Sequence, residues 1–281
     1  MRNVDTKIVT EKIAQMVQNI NYAYPKDIYA ELVSSYKKEQ VVQAKRTLGL
    51  LLENATLANE KKIPICQDTG MVIVFAKVGQ EVHFSGGNFN EAIQEGVRIG
   101  YQDGYLRKSI VDDPVFERIN TKDNTPAIIY TEITSGDQII LEVSAKGFGS
   151  ENMSKSRMLK PAQGKQGICD FVLECIREAG PNACPPYVIG VGIGGSFDYA
   201  AVLAKKATLR DINTTNENPK YQKLEEELLA SINELQIGPQ GLKGDTSAFG
   251  LNIEYYPTHI AGLPCAVNIS CHITRHAKEI I

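Results

Sequence analysis

Three cysteines lie far apart in this chain, and each stands in a segment suited to a loop at a site. Cys66 is in Ile65-Cys66-Gln67-Asp68-Thr69-Gly70, Cys184 in Ala183-Cys184-Pro185-Pro186, and Cys271 in Ser270-Cys271-His272. Gly, Pro or polar neighbours flank each one, so each thiol can point into a pocket. If the three serve one group, the fold has to join loops from three distant parts of the sequence. Three thiolates suit an iron–sulfur cluster, for which soft sulfur ligands are the norm. A four-iron cube held by only three cysteines leaves one iron open to act on a substrate as a Lewis acid. Taken singly, each cysteine has a blander reading, because free Cys is among the most buried residue types.

The remaining cysteines and the charge balance narrow the class. Six cysteines in 281 residues, with no export signal, do not make a disulfide framework, so a reducing cytoplasm is expected. No Cys-x-x-Cys pair is present, which argues against a zinc ribbon or a thioredoxin-like site. Cys169 and Cys175 lie in an apolar-periodic stretch and read as core fillers on a helix, and Cys265 follows Pro264 in an apolar run and reads as buried. The net charge of −3 offers no basic surface for nucleic acid or an anionic membrane. No apolar run approaches the roughly 20 residues of a membrane span. The polar start Met1-Arg2-Asn3-Val4-Asp5 is not a signal peptide.

The hydrophobic pattern predicts an α+β fold, with N-terminal helices followed by a mixed β-sheet and flanking helices. Val41, Ala44, Leu48, Leu51, Ala55 and Ala58 recur at helical spacing, and Pro25 separates an earlier helix from the next. Met71 to Val78 reads as a buried strand, which puts Cys66 at a helix-to-strand junction. Phe89, Ile93, Val97 and Gly100 mark a helix capped by Asn88 or Asn90. Ala127–Ile133 and Gln138–Val143, around Ser135-Gly136-Asp137, give a hairpin signal. A Gly-rich loop over 146–152, a helix from about Gln163 to Glu178, a strand over 187–193 and a helix through Ala200 and Ala204 follow. Tyr221, Leu224, Leu228, Ile232 and Leu235 mark a last helix. Arg275 and His276 fall in a short basic tail and read as solvated. With no repeat or long linker, residues 1–281 read as a single domain, its site cysteines held by loops at strand ends.

Other motifs carry competing readings. Gly190-Val191-Gly192-Ile193-Gly194-Gly195 matches G-x-G-x-x-G between a strand and a helix, the setting of a dinucleotide turn, with Asp211 at 21 residues' distance. Asp211 ends no second predicted strand, however, so close packing of glycines against the sheet competes with the nicotinamide reading. Ser150-Glu151-Asn152-Met153-Ser154-Lys155-Ser156-Arg157 could grip an anion or form a capped, solvated helix start. His259 lies between two strands and His83 follows one, and a lone histidine is more often structural than catalytic.

Six segments in order resemble the iron–sulfur hydro-lyases of the class I fumarase and L(+)-tartrate dehydratase family. They are Cys66-Gln67-Asp68-Thr69-Gly70, Gly104 through Ser109, Lys146 through Asn152, Ala183-Cys184-Pro185-Pro186, Gly190 through Tyr199, and Asn268-Ile269-Ser270-Cys271. The chain resembles the α subunit of the two-subunit form. The resemblance implies that Cys66, Cys184 and Cys271 hold a [4Fe-4S] cluster with one labile iron. It implies that Gln67, Asp68, Arg107 and Gly149 contact a C4-dicarboxylate, that Asn152 and Lys155 lie in the same substrate loop, and that Asp68 and His259 are catalytic. It also implies a β subunit carrying the second catalytic domain, in an α2β2 assembly.

The activity expected on this basis is reversible hydration of fumarate to (S)-malate, with dehydration of L(+)-tartrate to oxaloacetate as the alternative. A non-catalytic iron–sulfur redox carrier or sensor is a rival from another class. A carrier has no need of Asp68 and Arg107 near the cluster, and usually has a fourth cysteine ligand.

Overall fold

Strands buried on both faces organise the chain, and two of them, each at the heart of its own sheet, define two compact units. The computed structural model describes residues 1–281. One unit comprises residues 1–25, 54–148 and 275–281, and the other comprises residues 26–53 and 149–274. The sequence reads as a single domain because each unit is assembled from separate stretches, so no linker composition marks the division.

In the first unit, β1 (Arg2–Asp5) leads directly into α1 (Thr6–Tyr22). Asp5 caps this helix, its Oδ1 accepting from the Lys7 N–H at 2.9 Å. The end of α3 (Val42–Lys61) also belongs here, and its Ala55 and Ala58 are buried as the periodicity predicts. β2 (Met71–Gly79) is apolar throughout its middle, and β3 (Val82–Ser85) pairs parallel with β1. α4 (Phe89–Asp103) is capped by Asn88, which accepts from the N–H groups of Asn90 and Glu91. Ile13 and Val17 of α1 and Ile93 and Val97 of α4 share one core cluster with Val72, Val74, Leu141 and Val143 of the sheet.

That sheet corrects the hairpin expected from Ser135-Gly136-Asp137. β4 (Ile128–Thr134) and β5 (Ile139–Lys146) are not neighbours, because β2 lies between them in the order β10-β5-β2-β4, with β10 at His276–Ile280. β2 runs parallel to β4 and antiparallel to β5. The turn steps over the end of β2, where the Gly79 N–H donates to Gln138 and the Gln80 N–H to Thr134, each at 2.8 Å. Burial decides the order. β2 is covered on both faces and takes a central place, whereas β4 is largely exposed and takes the edge.

The second unit holds α2 (Lys26–Lys38), the start of α3 with buried Ala44 and Leu48, and a single helical turn, α5 (Phe148–Glu151), of which residues 149–151 belong here. After it come β6 (Lys155–Leu159), α6 (Gly164–Ala179), β7 (Tyr187–Gly195), α7 (Phe197–Ala207), α8 (Pro219–Asn233), β8 (Ala248–Thr258) and β9 (Leu263–Ser270). The strand order is β6-β9-β7-β8; β7 is parallel to β8, and β9 is antiparallel to both β7 and β6. The stretch 154–157, one reading of which was a helix start, is therefore mostly strand. Lys155 and Arg157 of β6 pair with Glu178 and Glu174 of α6.

β7 explains the glycine motif. Its side chains alternate, so Tyr187, Ile189, Val191 and Ile193 enter one core with Phe171 and Ile176 of α6 and Leu224 and Leu228 of α8. The glycines occupy the alternate positions, facing α7. A Cβ on Gly190 would stand 2.0 Å from the Ala204 carbonyl oxygen, and one on Gly192 2.0 Å from that of Ala200. The motif's glycines thus all lie inside the strand, and two of them form the seat of a helix, which removes the nicotinamide reading. Asp211 ends no strand; its Oδ1 accepts from the Asn213 N–H at 2.8 Å in the loop after α7.

Gly192→Ala forces α7 off the sheet, an over-packing change expected to cost about 3 kcal/mol. A lower urea midpoint with an unchanged slope checks it; a wild-type midpoint would mean that α7 yields freely.

Candidate active site

The Cys66 loop is irregular yet tightly held. Ile65, just before the cysteine, is buried; its N–H donates to Asn21 at 2.9 Å and its carbonyl accepts from Asn54 at 3.0 Å. Cys66 and Asp68 are half-buried and Gln67 is exposed. Thr69 and Gly70 return to the interior. The Tyr101 hydroxyl donates towards the carbonyls of Thr69 and Gly70, at 2.7 and 3.0 Å, and burial pushes this phenol's pKa upward. Asn124 donates to the Gly70 carbonyl at 3.1 Å. Gly70 has φ +79°, and a Cβ there would meet backbone of β5 at 2.8–2.9 Å, so both conformation and space require glycine.

The same network reaches Arg107. The buried Thr69 hydroxyl donates to the Arg107 carbonyl at 2.6 Å, and Asn124 accepts from the Ser109 N–H at 2.8 Å. The Arg107 residue is exposed, with its backbone anchored to the loop that carries Cys66 and Asp68. Asp68 is held at three points. Its Oδ1 accepts from the Gly70 N–H at 3.0 Å, its Oδ2 from the Phe148 N–H at 2.9 Å, and its carbonyl from Arg275 at 2.5 Å. Each carboxylate oxygen keeps a further lone-pair direction for a proton or a ligand.

Arg275, read from sequence as a solvated tail residue, is only 3% exposed. Besides Asp68 it donates to the Ala145 carbonyl at 3.1 Å and to Asn21 Oδ1 at 3.0 Å. Nothing in the short polar stretch around it signals burial, because it bonds to two carbonyls and an amide far off in sequence. Tyr101, Asn124 and Asn21 were also missed; two of them sit on helices whose apolar pattern already accounted for them.

In the other unit two cysteines come together. Cys184, exposed and with φ +50°, follows a 3-10 turn, and its N–H donates to Pro181 at 3.0 Å. Its carbonyl accepts from the His272 N–H at 3.1 Å, which ties the Cys184 loop to the residue after Cys271. Cys271 is half-buried at the end of β9, and Thr274 donates to its carbonyl at 3.1 Å. The exposed Gly149 adjoins this pair, since a Cβ on it would stand 3.9 Å from the Asn182 carbonyl oxygen. The following turn is pinned to β9 by Asn268, which donates to Glu151 at 2.9 Å and to Ser154 at 3.2 Å, and by Ile269, whose N–H donates to Ser154 at 3.0 Å. Glu151 is also paired with Lys205.

Other expected site residues stand apart or engaged. Asn152 is exposed near Gly149, and Lys155 is bound to Glu178. His259 is exposed in the connection between β8 and β9, its Nδ1 accepting from the Ala261 N–H at 3.2 Å. It precedes β9 and Cys271 follows it, so roughly 25 Å of strand separates them at about 3.3 Å per residue.

The thiols divide by environment. Burial pushes Cys175 and Cys265 up to about 12, so both remain inert thiols. Cys66, Cys184 and Cys271 form no disulfide and lie on loops at strand ends, Cys184 exposed and the other two half-buried, and thiolates are soft donors of the kind an iron–sulfur group takes. Cys66 belongs to one unit and the other two to the second. No three His, Cys, Asp or Glu side chains are grouped to hold a metal ion.

The family model described as fumarate hydratase (Fumerase) matches residues 10–279. The chain belongs to the fumarate hydratase family. It is a hydro-lyase. The chain is 39% identical to a Methanocaldococcus jannaschii protein named "Putative L(+)-tartrate dehydratase subunit alpha", over 97% of each chain. It is 32% identical to the L(+)-tartrate dehydratase subunit alpha of Escherichia coli O157:H7, covering 97% of this chain and 90% of that one. It is 33% identical to the protein of the same name in Escherichia coli UTI89, covering 94% and 87%. No helix is long and apolar enough to cross a membrane.

Thiol labelling tests the division of cysteines in this fumarate hydratase family member. At pH 8, the reduced, cluster-free native protein should react at Cys184 within minutes, while Cys175 and Cys265 resist until it is unfolded. Rapid native labelling of Cys175 would contradict its burial.

Proposed function

We propose that this chain is the α subunit of a two-subunit, cytoplasmic [4Fe-4S] hydro-lyase that interconverts fumarate and (S)-malate. The observation that carries the proposal is the hydrogen bond from Thr69 to the Arg107 carbonyl. It fastens the Arg107 backbone to the loop that presents a thiol, an amide and a carboxylate in succession. Those groups are what dehydration of a hydroxy-dicarboxylate calls for: a grip on one carboxylate, a group for proton transfer, and a ligand for the metal centre. The match to the fumarate hydratase family over residues 10–279 supports the same reading.

Cys66, Cys184 and Cys271 are the proposed cluster ligands, and a bound cluster would supply a Lewis acid that polarises the C–O bond to be broken. Arg107 holds one substrate carboxylate through two parallel N–H···O contacts. The Gln67 amide, the Gly149 N–H and the Asn152 amide hydrogen-bond to the carboxylates. Lys155 contributes charge only as far as Glu178 releases it. Asp68 serves proton transfer, its carboxylate fixed by the amides of Gly70 and Phe148. Dehydration removes a proton from carbon and a hydroxide from its neighbour, so the products are fumarate and water. Our assignment gives His259 no step, because it lies at the far end of β9 from Cys271.

The partner is proposed to be a β subunit carrying the second catalytic domain, in an α2β2 assembly. The names of the relatives, each a subunit alpha, support this. The same names favour a second reading of the substrate, L(+)-tartrate dehydrated to oxaloacetate.

The test is to co-express the chain with a candidate β subunit and reconstitute the pair without oxygen. Fumarate hydration and tartrate dehydration are then measured side by side. About four irons and four sulfides per α chain are expected. Cys66→Ser, Cys184→Ser and Cys271→Ser should each abolish the cluster, and Cys169→Ser and Cys175→Ser should keep it. Turnover of tartrate alone would select the second reading. A fully active single chain would falsify the two-subunit proposal.

Arg107→Lys should lower kcat/KM roughly 30- to 1000-fold, because a point charge cannot reproduce the planar two-point contact. The cluster spectrum should not change. Near-normal kinetics would place Arg107 outside the substrate pocket.

A further inference from the structure

Arg275 is a strongly buried cation with a hydrogen bond that ends on a proposed reacting residue. It is 3% exposed and four residues past Cys271, in a tail whose remainder is strand β10. Its guanidinium joins three elements of one unit: Nε donates to Ala145 of β5, and Nη1 donates to Asn21 of α1 and to the Asp68 carbonyl. Its own carbonyl accepts from the Ala145 N–H at 3.1 Å, so backbone and side chain both lock to β5. Gly147 records how closely the parts fit. A Cβ there would stand 3.3 Å from Arg275 Nη2 and 3.2 Å from Asp68 Oδ2. The guanidinium and the carboxylate thus close over the same backbone point.

A buried arginine is an expensive way to hold a loop together, because its charge loses hydration that neutral donors never had. In return its planar fork places several N–H groups at fixed angles, which a lysine cannot do. Here one nitrogen grips the Asp68 peptide while the amides of Gly70 and Phe148 grip the Asp68 carboxylate. The peptide and the carboxylate of one residue are fixed from opposite ends, leaving Asp68 little freedom about its side-chain torsions. A group that moves protons needs that restriction, since small misplacements of a reacting group cost large factors in rate.

We propose that Arg275 is a positioning residue for the hydro-lyase reaction, holding the Asp68 peptide so that its carboxylate keeps the orientation used in proton transfer. This rests on the assignment of Asp68 in the preceding section. Arg275 itself touches neither substrate nor cluster.

The experiment compares Arg275→Lys, Asn21→Ala and Asp68→Asn in the reconstituted two-subunit enzyme. The readouts are kcat per mole of cluster, KM, cluster content, thermal midpoint, and amide hydrogen exchange at Gly70 and Phe148. Arg275→Lys should reduce kcat per cluster at least tenfold with KM within about twofold. Exchange at the Gly70 and Phe148 amides should accelerate more than in β7. Asn21→Ala leaves the guanidinium in place but removes one anchor, and should show the same pattern at smaller amplitude, which keeps the proposal testable if Arg275→Lys folds poorly. Loss of cluster or of thermal midpoint with kcat per cluster unchanged would make Arg275 merely structural and overturn the proposal. If Asp68→Asn keeps full kcat, the assignment of Asp68 fails, and the role of Arg275 with it. If Asp68→Asn is inactive while both other variants turn over normally, only the positioning role fails.

Discussion

Everything in the Cys66 region depends on satisfying the backbone of a loop that is neither helix nor strand. Thr69 and Gly70 are buried, and a buried peptide group without a partner costs about 1–3 kcal/mol. Regular structure would settle that cost with a ladder of hydrogen bonds, but it would also turn the side chains to alternate faces. The chain settles it with side chains instead. Tyr101, Asn124 and Arg275 reach in from α4, from the polar loop and from the tail to hold the carbonyls of residues 68–70. The loop is thereby free to show Cys66, Gln67 and Asp68 in an order no strand could present. Rigidity without regularity suits the carboxylate proposed for proton transfer beside a proposed cluster ligand.

The second unit meets the same requirement more economically. One backbone hydrogen bond, from His272 to Cys184, joins the two cysteine loops, and Asn268 with Ser154 pins the Gly149 turn to the sheet beside them. These loops sit at the ends of β7 and β9, the central strands, where the positions of chain ends are inherited from the sheet. The inert cysteines lie deeper in the same unit and differ from the accessible ones in nothing but surroundings.

The sequence was most informative where local pattern and final environment coincide. The helices carried their caps and apolar stripes openly, and Asn88 caps the helix predicted from Phe89 onward. The three accessible cysteines stood out because glycine, proline and polar neighbours mark loops whatever the tertiary fold. Long-range choices were hidden. Ser135-Gly136-Asp137 is a sound turn signal, but nothing local says that β2 inserts between the strands it joins. The glycines at 190 and 192 matched a ligand-binding pattern, and only the alternation of β7 shows them to be a seat for α7. Arg275 was illegible because burial of a charge depends on partners chosen by the fold. The division into two units was illegible too, since both are discontinuous in sequence.

The glycine face of β7 carries a consequence for how this sequence can vary. An ordinary core contact can drift, because a larger residue on one side is balanced by a smaller one opposite. Where one side of the contact is bare main chain and the other is the carbonyl of a helix turn, neither has anything left to trim. No compensating exchange exists among the twenty residues. The distance between α7 and the sheet is therefore set by atoms every residue shares, and sequence change in this unit is steered to the opposite face, where Ile189, Val191 and Ile193 meet side chains that can be traded.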